Sequence, residues 1–207
     1  MALVKKTPSK PPVDERRAGA RDLAGLIEKL ADPDAATRRW AARDLATQAG
    51  ASDALLALVG AESDVSVREV ALSSLTRIGD ETAVNGLMSC LRSEEAGLRN
   101  EAIEAMKSLP REVAPMMRAL LADPDPDVRI FSINVLESLR HPDVEDWLIG
   151  VISRDTELNV CGAAVDLLTE VGTGKARDAL ESLRARFAGE PYIQFAAGLA
   201  LQRIESS

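Results

Sequence analysis

The chain is poor in the residues from which catalytic and metal sites are most often built. It has one histidine, His141, and two cysteines, Cys90 and Cys161, among 207 residues. A zinc site needs several His, Cys or carboxylate ligands at close spacing, and a single histidine before Pro142 does not begin one. The two cysteines fall on different predicted helices without ligand spacing. That argues against a disulfide framework and for a reducing, cytoplasmic setting. Aromatic residues make up only 3% of the sequence, so Ala, Leu and Val must supply the core. No glycine-rich phosphate loop is present. Gly172-Thr173-Gly174-Lys175 lacks the upstream glycine and hydroxyl partner of such a loop and reads as a turn. No apolar run is long enough to span a bilayer, and no apolar stretch follows the first lysines as a secretory signal requires. Alternating strand patterns are missing too. These absences leave no catalytic residue, cofactor or metal to expect.

What the chain has is a repeat. Asp123-Pro124-Asp125-Pro126-Asp127-Val128-Arg129 reads as a turn that opens a helix. Asp125 is a good N-cap, and Pro126 fits the first helical position, where a missing N–H costs nothing. An acid four residues before an arginine recurs as Asp34/Arg38, Asp64/Arg68, Glu95/Arg99 and Asp125/Arg129. Three residues after each arginine stands Ala41, Ala71, Ala102 or Ser132, and four further on Leu45, Leu75, Met106 or Leu136. Two later copies keep the apolar frame and lose the arginine: Cys161 with Ala164 and Leu168, and Gln194 with Ala197 and Leu201. A period near 30 residues predicts a solenoid. Apolar residues at i, i+3, i+4 and i+7 predict about twelve helices in about six pairs. Gly79 and Gly172 are placed as helix stops, Pro110 after a helix, and Pro115 in a first turn. Cys161 reads as a small buried residue in an arginine's place.

The unit L-x-x-L-L-x-D-x-D-x-x-V-R-x-x-A-x-x-x-L resembles a short HEAT repeat of the kind found in phycobilisome lyases. The resemblance extends from about Ala20 to the C-terminus. It implies an all-α fold, a right-handed α-solenoid of about six HEAT-like helix pairs. It also implies that the acids and arginines form a structural ladder between neighbouring repeats: Asp34, Arg38, Asp64, Arg68, Glu95, Arg99, Asp125 and Arg129. Residues 1–18 read as a flexible basic, proline-containing tail, and residues 19–207 as a single solenoid.

Function is expected from architecture. Solenoids expose extended concave surfaces, so the chain is read as a non-catalytic protein-binding scaffold or adaptor, docking a client on its second helices. A regulatory component of a bacterial signalling or maturation complex is one form of that role. The alternative implied by the resemblance is attachment or removal of a bilin on a client protein. Nucleic acid is excluded as the main ligand, because beyond Arg21 the chain holds 19 basic and 31 acidic residues and phosphate binding needs clustered cations. The outward positions of the later second helices turn apolar. Ile130, Gly162, Phe195 and Leu199, rimmed by Asn134 and Asp166, are the expected partner site, with Gly162 opening its floor. Phe195 and Leu199 as a cover for the end of the array is the competing reading.

Overall fold

Four of the helices open where an aspartate stops a turn. Asp22, Asp34, Asp80 and Asp125 all hold extended backbone, and their carboxylates accept the N–H of Gly25, Thr37, Ala83 and Asp127. An N-cap of this kind is worth about 1 kcal/mol relative to alanine. The computed structural model describes residues 21–206; the basic tail expected over 1–18 lies outside them.

The described chain falls into two compact units that divide after Ile78. The first holds α1 (Leu23–Lys29), α2 (Ala35–Leu45), α3 (Ser52–Ala61) and α4 (Val65–Ile78). Within it α2 packs on α1 and α4, and α3 packs on α4. Ala41 and Leu45 of α2 and Ala71 and Leu75 of α4 are buried at the predicted repeat positions, as are Leu26 of α1 and Leu55 of α3. Gly79 follows α4 with φ 59, the left-handed conformation that a helix stop takes and glycine adopts without strain.

The second unit holds α5 (Glu81–Cys90), α6 (Ala96–Lys107), α7 (Pro110–Val113), α8 (Met117–Leu120), α9 (Pro126–Leu136), α10 (Val144–Arg154), α11 (Leu158–Val171), α12 (Arg177–Arg186) and α13 (Pro191–Ser206). The second helices of its repeats form a row in which α6 touches α9, α9 touches α11, and α11 touches α13. First helices lie against them, and the core between the layers is built from Leu87, Met106, Met117, Leu136, Leu148, Leu168 and Leu180. Burying one such leucine contributes about 1.5–3 kcal/mol.

Among the described residues there is no strand, and helices follow one another in pairs as the periodicity predicts. Counting α7 and α8 as one broken helix gives the expected twelve. The break corrects the placement of Pro115. Pro110 follows α6, as expected, and also opens α7, so Pro115 falls in the interior of the broken helix and not in its first turn. Proline has no N–H to give the preceding turn, and the chain tightens there into a 3₁₀ turn over Ala114–Met116.

Candidate partner-binding surface

The arginines that mark the repeat fix how its turns are held. Nη1 of Arg38 donates to the carbonyls of Asp32 and Pro33 at 2.9 and 3.1 Å, while Nε and Nη2 grip the Glu62 carboxylate at 2.7 and 2.9 Å. Arg129 does the same three repeats on: Nη1 to the Asp123 carbonyl at 2.7 Å, and Nε and Nη2 to Asp155 at 2.7 and 3.1 Å. Nη1 of Arg99 reaches the Ser93 carbonyl at 2.7 Å, and Arg68 is buried. Arg38, Arg99 and Arg129 each reach the carbonyl six residues before them. In Arg38 and Arg129 the rest of the planar fork takes a carboxylate from the next repeat's turn, a bidentate geometry that lysine cannot reproduce.

Asp34, Asp64 and Asp125, four residues before an arginine, serve as caps, with Asp64 accepting from the N–H and Oγ of Ser66. The cross-repeat carboxylates are Glu62 and Asp155, with Asp123 bound by Arg92. Sequence reasoning missed them. The available signal was an acid two residues before the cap position: Glu62 before Asp64, Asp123 before Asp125, and Asp155 before Glu157. The Arg38 guanidinium holds the Glu62 carboxyl below the usual carboxylate range, and Arg92 does the same for Asp123.

Where the arginine is lost, another residue supplies the bonds. Cys161 is fully buried, its thiol donating to the Asp155 carbonyl at 3.4 Å, again six residues back. Arg186, from α12, brings a guanidinium to the same turn and donates to the carbonyls of Ile152, Ser153 and Asp155. Burial pushes the Cys161 thiol pKa up, which keeps it protonated and unreactive.

With the repeats so registered, the outward positions of α9, α11 and α13 form one surface of the second unit. Phe195 is 70% exposed and Leu199 46%, while Ile130 and Asn134 are half-buried and Asp166 is exposed. Gly162 does not open a floor. It is buried under the ring of Tyr192, whose Cε1 would lie 3.0 Å from a β-carbon at that position. The Tyr192 hydroxyl donates to the Asp166 carboxylate, and that bond pushes the phenol pKa up to about 12. Glycine is therefore the residue that lets the α13 tyrosine lie flat on α11. Tyr192, itself 52% exposed, was missed in the sequence, although it stands three residues before Phe195 on the same helical stripe. Tyr192, Phe195 and Leu199 at i, i+3 and i+7 make an apolar face with the Asp166 carboxylate beside it. Phe131 lies on the flank, with the Arg99 guanidinium 5.3 Å from its ring centre.

Among the described residues no group of His, Cys, Asp or Glu could hold a metal ion, and no helix is long and apolar enough to cross a membrane. Paired antiparallel helices stacked through their second members, and tied turn to turn by arginines, define an all-α helical-repeat protein. The sequence matches the HEAT repeats family over residues 23–107 and 113–205, and the chain belongs to that family. No curated protein matches it in sequence. Among solved structures it is similar to human deoxyhypusine hydroxylase in complex with glycerol, with 17% identity, TM-score 0.46, and coverage of 89% of this chain and 85% of that one. It is similar also to the complex of CpcE and CpcF of phycocyanin lyase from Nostoc sp. PCC7120, at 18% identity, TM-score 0.39 and 99% of both chains. A designed armadillo repeat protein in complex with the peptide (KR)4 shares 17% identity at TM-score 0.44, covering 86% of this chain and 98% of that one.

Proposed function

We propose that the chain is a non-catalytic protein-binding scaffold that docks a client on the face of α11 and α13. The observation that carries the reading is the line of Tyr192, Phe195 and Leu199, three large apolar side chains left about half exposed or more on one helix face. Single exposed apolar residues are ordinary, but a contiguous row with a polar rim marks an interaction surface. The client's chemistry follows from the surroundings. Residues 79–207 hold 13 basic and 22 acidic side chains, and Asp166 stands beside the row. An apolar anchor flanked by Lys or Arg complements that surface and is drawn to it; an acidic segment is repelled.

A peptide library displayed on phage and selected on the wild-type protein tests this, with Phe195→Asp as the counter-target. The expected enrichment is for aromatic or aliphatic anchors with basic neighbours that fail to bind the variant. Peptides that bind both proteins equally, or that are acidic, would refute the reading. Melting of Phe195→Asp is measured alongside. A small change fits a side chain that is 70% exposed; a loss of several kcal/mol would make Phe195 a cover for the core and not a contact for a client.

A further inference from the structure

The first unit presents a surface of the opposite character. Its described cations are Arg21, Lys29, Arg38, Arg39, Arg43, Arg68 and Arg77. Arg21 is bonded to Asp44 and Arg38 to Glu62, and Arg68 is buried. Arg39, Arg43 and Arg77 form no ion pair among the described residues, and these three line two adjoining hollows of about 380 and 420 Å³ that share Arg43. The half-buried Trp40 lines the first, with the Arg43 guanidinium 4.8 Å from its ring centre. Arg39 reaches only the Ser66 hydroxyl, at 3.4 Å. Glu69 lines the first hollow and Asp44 the second, where Asp44 is bonded to Arg21; in a chain with 33 acids to 25 bases, three neighbouring guanidiniums that bond neither carboxylate are not explained by packing.

We infer that this strip is a second docking site, which takes an acidic segment of a partner protein. Guanidiniums present forked donors that match carboxylates in plane, and arginine over an aromatic ring keeps its outer N–H groups free for such bonds. Glu69 lines the same hollow as Arg39 and Arg43. A peptide can set a neutral side chain beside it, whereas a nucleic acid would bring phosphate to it at every step. Three cations are also few for nucleic acid, whose affinity scales with the number of phosphates neutralised. The strip and the α13 face together would let one chain hold an acidic and a basic partner segment at once.

The test is fluorescence anisotropy with a fluorescein-labelled oligoglutamate peptide. Binding is expected at low salt and should weaken as salt screens the exposed charges. The Arg43→Glu, Arg77→Glu double variant should bind about tenfold or more weakly, with helicity unchanged, because both side chains are exposed. A single Arg77→Gln variant, with a smaller loss, keeps the test available if the double variant misfolds. Phe195→Asp should bind as the wild type does, so failure here and failure of the α13 reading are separate results. No binding at low salt, or equal binding by the charge-reversed protein, overturns the inference. So does tighter, arginine-dependent binding of an oligothymidylate, which would make the strip a nucleic-acid surface.

Discussion

Arg129→Ala is the most informative single substitution for the way these repeats are held together. The side chain makes two bonds to the Asp155 carboxylate and donates to the Asp123 and Pro124 carbonyls. Its side chain keeps only 12% of its accessible surface, and that of Asp155 only 9%. Removing the arginine strands a nearly buried carboxylate and takes a charged donor from two turn carbonyls. Breaking a fully buried pair costs about 3–5 kcal/mol. The residual exposure here lets water reach part of the site, so about 2–4 kcal/mol is expected. For a domain of this size that corresponds to a fall in melting temperature of roughly 5–15 °C. Arg118→Ala is the control, since that side chain is exposed and should cost less than about 0.5 kcal/mol. Circular dichroism at 222 nm against temperature and against urea reads both variants. A double-mutant cycle with Asp155→Ala should return a coupling of about 1–3 kcal/mol. Equal midpoints for Arg129→Ala and Arg118→Ala, or a coupling near zero, would show that the guanidiniums do not tie the turns together.

Other outcomes follow from the same geometry. Glu62 and Asp123 have carboxyl pKa values depressed by Arg38 and Arg92, so the stability they contribute is present above their unfolded values near pH 4 and is lost as pH falls through the folded ones. Urea midpoints should therefore drop in acid, and a Glu62→Gln, Asp123→Asn protein should show a flatter acid limb. Tyr192 is the only tyrosine, so absorbance at 295 nm reports it alone: the wild type should titrate at about 12, and Asp166→Asn should move the midpoint back toward about 10. Because the folded value is raised, this contribution is full below about pH 10 and disappears as pH climbs through the folded value; a wild-type midpoint near the free phenol's would deny the bond. Gly162→Val should displace the Tyr192 ring that lies over that position and lower the same midpoint, and an unshifted titration would mean that the ring does not rest there.

The repeat frame was legible in the sequence because its determinants are local. A cap aspartate, a proline at a first helical position and an apolar residue every three or four positions act within one or two turns of helix. Asp125, Pro126, Val128 and Leu136 stand in the structure in the roles they were read for. The burial of Cys161 was legible on the same grounds, since small apolar residues at that register face the core. The break at Pro115 was not, because it depends on where the helix begins, and Pro110 sets that start.

Only the tertiary structure decided which groups meet. Arg38 takes Glu62 and Arg129 takes Asp155, each across 24 to 26 residues, because a long guanidinium side chain spans the space between stacked turns and finds the carboxylate of the next repeat. Arg186 replaces the arginine missing at Cys161 from a different helix, a substitution that no period in the sequence encodes. Tyr192 covers Gly162 because α11 and α13 are adjacent, and that turns a presumed opening into a filled seat and leaves Phe195 and Leu199 as the exposed face. Periodicity assigns each residue to a side of its helix; the distance between helices determines which side chains on that side are covered.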